Sequence, residues 1–202
     1  MYLLLRAGLN MRLPLHLFSG LAIVMSGCLL LMGKPPVLPV PVFTVSGPDA
    51  KPMQVRTADN RATLVVFVSA LCPISTDYGP RLESLEQAFS SQGVRMLLVN
   101  SNQNESDSQV ETQRKLSKIA MPVYRDPQGR LADILGANAT PTAMILDQAG
   151  SLRYAGAIDD SRNPTRVRKP YVRLAMEEIL AGKSVTLGRT SARGCSIKSS
   201  NP

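Results

Sequence analysis

The chain has 202 residues, 44% of them hydrophobic and 19% charged, with 23 basic against 15 acidic side chains and a net charge of +8. That length and balance suit one domain with a leader and a tail, able to bury a core without disulfide staples. Its single histidine, His16, sits in an apolar N-terminal run. A working domain beyond that run therefore has no Cys-His or Ser-His pair, no His-ligated zinc or copper, and no imidazole acid–base step. The reactive chemistry left is mostly that of cysteine.

Residues 1–33 read as a targeting segment: Arg6 and Arg12 lead into an almost wholly apolar stretch over residues 13–32. Three readings of it stand. It is a cleaved signal, an uncleaved anchor long enough to span a bilayer, or a lipoprotein leader, since Met25-Ser26-Gly27-Cys28 resembles a bacterial lipobox with Cys28 as the lipid attachment site. All three place the domain outside the cytoplasm, on the periplasmic side, and two of them tie its N-terminus to the membrane. A Pro-rich spacer follows over residues 34–42. Late basic residues (Arg162, Arg166, Arg168, Lys169, Arg173, Arg189, Arg193, Lys198) lack the aromatic interleaving of a nucleic-acid site. They read as solvated surface facing anionic lipid or an acidic partner.

From Phe43 onward, strand-like and helix-like stretches alternate. Residues 62–68 are a β-branched apolar run of buried-strand length. Residues 74–91 are expected as one helix, with Tyr78, Leu82, Leu85 and Phe89 on a single face. A second buried strand spans residues 94–99, followed by a polar loop over 100–107. Ser106, with Gln109 three residues on, caps a helix running to about residue 119. A short strand at 122–125 and a short helix at 131–135 come next. Residues 143–146 and 152–154 form a hairpin around Gln148-Ala149-Gly150. Residues 171–180 are a last amphipathic helix, closed by Gly182. The alternation predicts an α/β fold: a central mixed sheet, parallel in the middle and antiparallel at the hairpin, flanked by helices.

Cys72 lies between a buried strand and a helix, so it is expected at a helix N-terminus. Unpaired backbone N–H groups and the positive dipole end favour a thiolate there. Pro73 suits the first helical turn, and Ser75 is placed to donate a hydrogen bond to the sulfur. A buried, inert core cysteine is the competing reading.

These features, taken in register, resemble the thioredoxin-like superfamily over about residues 40–185. The order is buried strand, Cys72-Pro73-Ile74-Ser75, helix. Pro80 stands where thioredoxins carry a helix-kinking proline. Ala139-Thr140-Pro141-Thr142 is similar to the family's Thr-Pro segment, whose proline is cis and faces the active cysteine. The run from Phe67 to Pro73 and the long insert before Thr140 resemble the redoxin branch, which includes alkyl hydroperoxide reductases and thiol-specific antioxidant proteins. With the Ser101-Asn102 loop, the Ile158-Asp159-Asp160 turn and the late Gly194-Cys195, they resemble exported bacterial redoxin-domain proteins. The resemblance implies a thioredoxin-like fold, Cys72 as nucleophile, and Pro73, Thr140 and Pro141 as the surface that receives a partner.

The chain departs from the family at several points. Ser69 fills the hydroxyl position of the peroxiredoxin motif, but Val65 replaces its proline. The second thioredoxin cysteine is replaced by Ser75, and Val66 replaces a buried aspartate. Thioredoxin-like copper carriers need two close cysteines and a late histidine, which this chain lacks. A mixed disulfide or sulfenate on Cys72 needs a second sulfur. Cys195 is the candidate, flanked by Arg193 and Lys198, which favour its thiolate, and by Gly194, which lets the tail turn. It is either a resolving cysteine, within the chain or across subunits, or the partner in a structural disulfide, or an unrelated tail thiol.

The expected layout is a leader over 1–33, a spacer over 34–42, a redoxin domain over 43–185 and a tail over 186–202 carrying Cys195. The reading put first is thiol–disulfide exchange through Cys72 with a disulfide-bearing protein or thiol reductant. One alternative is a peroxidase in which Cys72 attacks peroxide with Ser69 assisting. Another is a non-catalytic binding module stapled by Cys72 and Cys195. No cofactor, metal or nucleic acid is expected. Asp159 and Asp160 read as a loop rather than a metal site, and Asn104-Glu105-Ser106 as a glycosylation pattern without meaning behind a bacterial leader.

Overall fold

The computed structural model describes residues 39–199. The leader, Cys28 and spacer residues 34–38 lie outside the described residues, as do 200–202. The main sheet has seven strands in the order β2-β1-β5-β4-β3-β7-β8. These are β1 (Val42–Ser46), β2 (Pro52–Arg56), β3 (Ala62–Phe67), β4 (Val94–Asn100), β5 (Val123–Arg125), β7 (Thr142–Asp147) and β8 (Leu152–Gly156). The helices are α1 (Pro73–Thr76), α2 (Gly79–Phe89), α3 (Asp107–Leu116), α4 (Arg130–Leu135) and α5 (Tyr171–Leu180). Two more short strands, β6 (Ala139–Thr140) and β9 (Cys195–Ser196), pair with each other as a separate ribbon.

The expected mixed sheet is present. β3 runs parallel to β4, and β4 to β5, while β3–β7 and β7–β8 are antiparallel. β3 is buried along its whole length, and its residues alternate between two cores as a pleated strand requires. Leu64 and Val66 join Leu82, Leu85 and Phe89 of α2 and Val172 and Met176 of α5. Val65 and Phe67 join Leu131 and Leu135 of α4, with Val45 and Val55 of the first hairpin. Both faces being covered explains why this strand reads as continuous apolar sequence.

The helix expected over 74–91 is two helices. Pro80 has no N–H to offer the carbonyl of Thr76, and its ring crowds the preceding turn. The chain breaks at Asp77 and Tyr78, and Pro80 sits in the first turn of α2, where the missing donor costs nothing. α3 begins with the expected capping box: Ser106 Oγ accepts from Gln109 N, and the Gln109 side chain accepts from Ser106 N. It ends at Leu116, short of residue 119. α5 has the expected bounds, with Gly182 just beyond in the left-handed region. Among the described residues no helix is long and apolar enough to cross a membrane.

Leu82 has no exposure and fills the core between α2 and the sheet, whereas Leu116 is 71% exposed. Leu82→Ala is expected to cost about 2–5 kcal/mol of unfolding free energy, and Leu116→Ala less than about 0.5 kcal/mol. Urea unfolding of the two variants checks the contrast.

Candidate active site

Cys72 is the residue immediately before α1, extended in backbone (φ −96°, ψ 109°), with Pro73 at the first helical position. Its carbonyl accepts from Thr76 N at 3.0 Å. The residue has no exposed surface, although Leu71 beside it is 55% exposed. Cys72 Sγ donates to the Thr140 carbonyl at 3.4 Å. The Thr140–Pro141 bond is cis, as the resemblance implies. Thus the β3–α1 junction and the β6–β7 junction bring Cys72, Thr140 and Pro141 into one place.

Cys195 completes the site from the far end of the chain. β9 pairs antiparallel with β6, placing Cys195 opposite Thr140 and Ser196 opposite Ala139. The side chain and backbone N–H of Cys195 lie close enough to the Cys72 sulfur to lower its pKa. Both are free thiols. Gly194 lies so close to β6 that a Cβ there would overlap the Thr140 carbonyl oxygen. The glycine expected to lend the tail freedom instead permits a close backbone approach.

The roles expected of two hydroxyls change. Ser75 Oγ accepts from Ser69 N at 3.0 Å, so its hydroxyl braces the loop. It is the Ser75 backbone N–H that faces the Cys72 sulfur. Ser69 Oγ donates to Glu105 Oε1 at 2.5 Å and accepts from Leu71 N, so it is committed away from Cys72. Glu105, which the sequence offered only within a glycosylation pattern, is buried at the centre of this network. Its Oε2 accepts from Ala70 N and from Asn100 Nδ2, both at 2.7 Å. Arg125 joins through Asn100 Oδ1 at 2.6 Å and the Glu105 carbonyl at 2.8 Å. One carboxylate from the β4–α3 loop thus ties down Ser69 and Ala70 directly, and Leu71 through the Ser69 hydroxyl, on the way into Cys72.

A second brace holds the α1–α2 break. Tyr78 Oη donates to Asp159 Oδ1 at 3.0 Å, and Arg81 pairs with Asp159 Oδ2 at 2.7 Å while lying over the Tyr78 ring. Burial, then Asp159, pushes the Tyr78 hydroxyl up to about 12, so it stays a donor. Asp160 accepts from the N–H groups of Arg168 and Lys169. The two aspartates therefore serve the loop, as read from the sequence.

The two thiols are driven apart electrostatically. Burial pushes the Cys72 thiol up, but donation from the Cys195 side chain, the Ser75 and Cys195 N–H groups and the Thr140 side chain together outweigh it. Its pKa falls below the ordinary value. The Cys195 thiol is pushed up to about 11 by its hydrogen bond to Cys72, by burial, and by the charges of Cys72 and Glu105. The expectation that Arg193 and Lys198 favour a Cys195 thiolate is reversed: Cys72, burial and Glu105 raise its pKa.

A model of the AhpC/TSA family matches residues 38–155. Thiol-disulfide oxidoreductase ResA of Halalkalibacterium halodurans is 21% identical over 112 residues, covering 54% of this chain and 61% of that protein. The match thus spans less than two thirds of that relative's length. Sporulation thiol-disulfide oxidoreductase A of Bacillus subtilis is 25% identical over 120 residues, covering 59% of this chain and 72% of that protein. Among solved structures, an uncharacterized conserved protein from Geobacillus kaustophilus superposes with a TM-score of 0.73 at 24% identity, over 83% of this chain and 94% of that one. A putative thiol:disulfide interchange protein DsbE from Chlorobium tepidum gives 0.59 at 14% identity, over 72% and 97%. At these identities the solved structures establish the thioredoxin-like fold.

Two outcomes follow from the site. Cys195→Ala removes a donor to the thiolate, so the Cys72 pKa is expected to rise. A pH titration of thiolate ultraviolet absorbance that shows no rise contradicts the assignment. Glu105→Ala leaves the Ala70 N–H, the Asn100 amide and the Ser69 hydroxyl without their acceptor, at a cost of about 3 kcal/mol. Urea unfolding measures that loss.

Proposed function

Because the chain belongs to the AhpC/TSA family, on the match over residues 38–155, we propose that it carries out thiol–disulfide exchange with Cys72 and Cys195 as its dithiol pair. The observation that carries this reading is the placement of the two free cysteines in one site: Cys195 pairs in register opposite Thr140, whose carbonyl accepts from Cys72 Sγ, and the Cys72 pKa is shifted down while that of Cys195 is shifted up. The two oxidoreductase relatives support the same class of chemistry.

The steps balance as follows. The Cys72 thiolate attacks one sulfur of a partner disulfide; a Cys72–partner bond forms and the partner's other sulfur leaves as thiolate. Cys195 then loses its proton and attacks Cys72 Sγ. A Cys72–Cys195 disulfide forms, and the partner departs with both sulfurs reduced. Two electrons have moved from the chain to the partner, and an external thiol reductant restores the pair. Run backwards, the same steps oxidise a partner dithiol.

The charge arrangement times the second attack. The leading causes of the raised Cys195 pKa are its hydrogen bond to Cys72 and, after burial, the Cys72 charge. Both vanish when Cys72 enters a mixed disulfide, so Cys195 becomes easier to deprotonate at the moment its attack is needed. A disulfide is the oxidant argued for, rather than peroxide, because the Ser69 hydroxyl that a peroxidase would use is spent on Glu105. In this proposal the domain of residues 43–185 works outside the cytoplasm, delivered by the leader and held at the membrane by Cys28 or the apolar run. Residues 186–202 are the tail that supplies the second sulfur.

Cys72→Ser is expected to reduce exchange with a protein disulfide to background. Cys195→Ser is expected to keep the first attack, lose turnover, and accumulate a partner adduct on Cys72 visible by non-reducing mass spectrometry. Full exchange by the Cys72→Ser chain contradicts the proposal.

A further inference from the structure

Cys72 is wholly buried, yet it stands at the mouth of the fold beside an exposed Leu71. What covers it is the chain's own tail. Gly188 accepts from Ala155 N, and Thr190 N donates back to the Ala155 carbonyl, fixing the tail against β8. The Thr190 hydroxyl meets Tyr154 Oη at 2.6 Å and accepts from Ala157 N at 2.9 Å. The chain then crosses the sulfur and is fastened again on the other side. Ile197 N donates to the Asn138 carbonyl, Lys198 N to Asn102 Oδ1, and Gln103 N to the Lys198 carbonyl. On the strand's own side these fastenings between 195 and 198 use backbone atoms, met by backbone, by Asn102 Oδ1 and by the Thr140 hydroxyl, apart from the packing of Ile197 on the second core.

We propose that residues 194–198 are a tethered strand closing the edge of β6, and that a partner enters by taking its place as an extended segment bearing a disulfide. The partner's chemistry rests on the exchange reading above; the closure does not. A strand held by main-chain bonds shows that this edge accepts an extended polypeptide, and the overlap at Gly194 shows how closely it must approach. A partner strand in the same register needs glycine before its reacting cysteine. When the tail returns, the same motion expels the partner strand and brings Cys195 back onto Cys72. Closure and resolution are then one event, and Cys72 is open to solvent only while the strand is displaced.

The test uses the reduced full-length chain and a bulky maleimide, with modification of Cys72 followed by peptide mass spectrometry. Gly194→Val forces a Cβ into Thr140 and lifts the strand without touching either sulfur. Cys72 labelling is expected to rise at least about tenfold, since the strand's backbone hydrogen bonds set its opening equilibrium. Lys198→Ala, which removes only an exposed side chain, is expected to label within about twofold of wild type. Labelling of Gly194→Val at the wild-type rate overturns the proposal. In the unaltered chain, the Ile197 and Lys198 amides are expected to exchange with solvent more slowly than in an unstructured chain; exchange at the unstructured rate also overturns it. If Gly194→Val labels fast but no form of the chain exchanges with any disulfide, the closure stands and the exchange reading falls.

Discussion

The backbone of Thr140 serves two neighbours at once. Its carbonyl accepts the Cys72 thiol, and the residue pairs in register with Cys195. Every other part of the site can be read as a means of delivering a group to this point. β3, buried on both faces, ends just before Cys72. The Glu105 network fixes Ser69, Ala70 and Leu71, three of the four residues between. β7 runs antiparallel to β3, and so carries its first residues back beside the end of β3. Gly194 lets the tail come close enough to finish the arrangement.

With the groups in place, chemistry follows from the unequal treatment of two identical side chains. The neighbours of one thiol lower its pKa despite its burial, and the pKa of the other is raised by its interaction with the first. A thioredoxin-type motif would put both sulfurs on one helical turn, but here Ser75 occupies the second place and uses its hydroxyl to brace Ser69. The second sulfur comes in on a strand instead. A strand can leave and return, whereas a residue on α1 cannot, so access and resolution become linked through the tail.

Much of this was legible in the sequence because it depends on local pattern. The apolar run of β3, the capping box of Ser106 and Gln109, and the spacing of Tyr78, Leu82, Leu85 and Phe89 each follow from periodicity or cap chemistry. Cys72 stood out because strand, cysteine and proline occur in order. What escaped depends on contacts between distant segments. Pro80 pointed to a kink, but whether it bends or breaks a helix depends on where Asp159 and Arg81 hold the turn. Glu105 looks like any loop acid; its importance comes from three donors that converge only after folding. β9 is two residues long and has no period to read. The basic neighbours of Cys195 misled for the same reason, since adjacency in sequence was outweighed by the influence of Cys72 across the site.

The central claim is that Cys72 and Cys195 of one chain form a reversible redox pair. It is tested most directly by equilibrating the protein across a graded thiol–disulfide buffer and mapping its disulfides by non-reducing peptide mass spectrometry. The account predicts one two-electron transition in which both cysteines pass together into an intrachain 72–195 bond and back. A Cys72 that carries only buffer adducts across the range, or a 72–195 bond that mild reductant never opens, would contradict it.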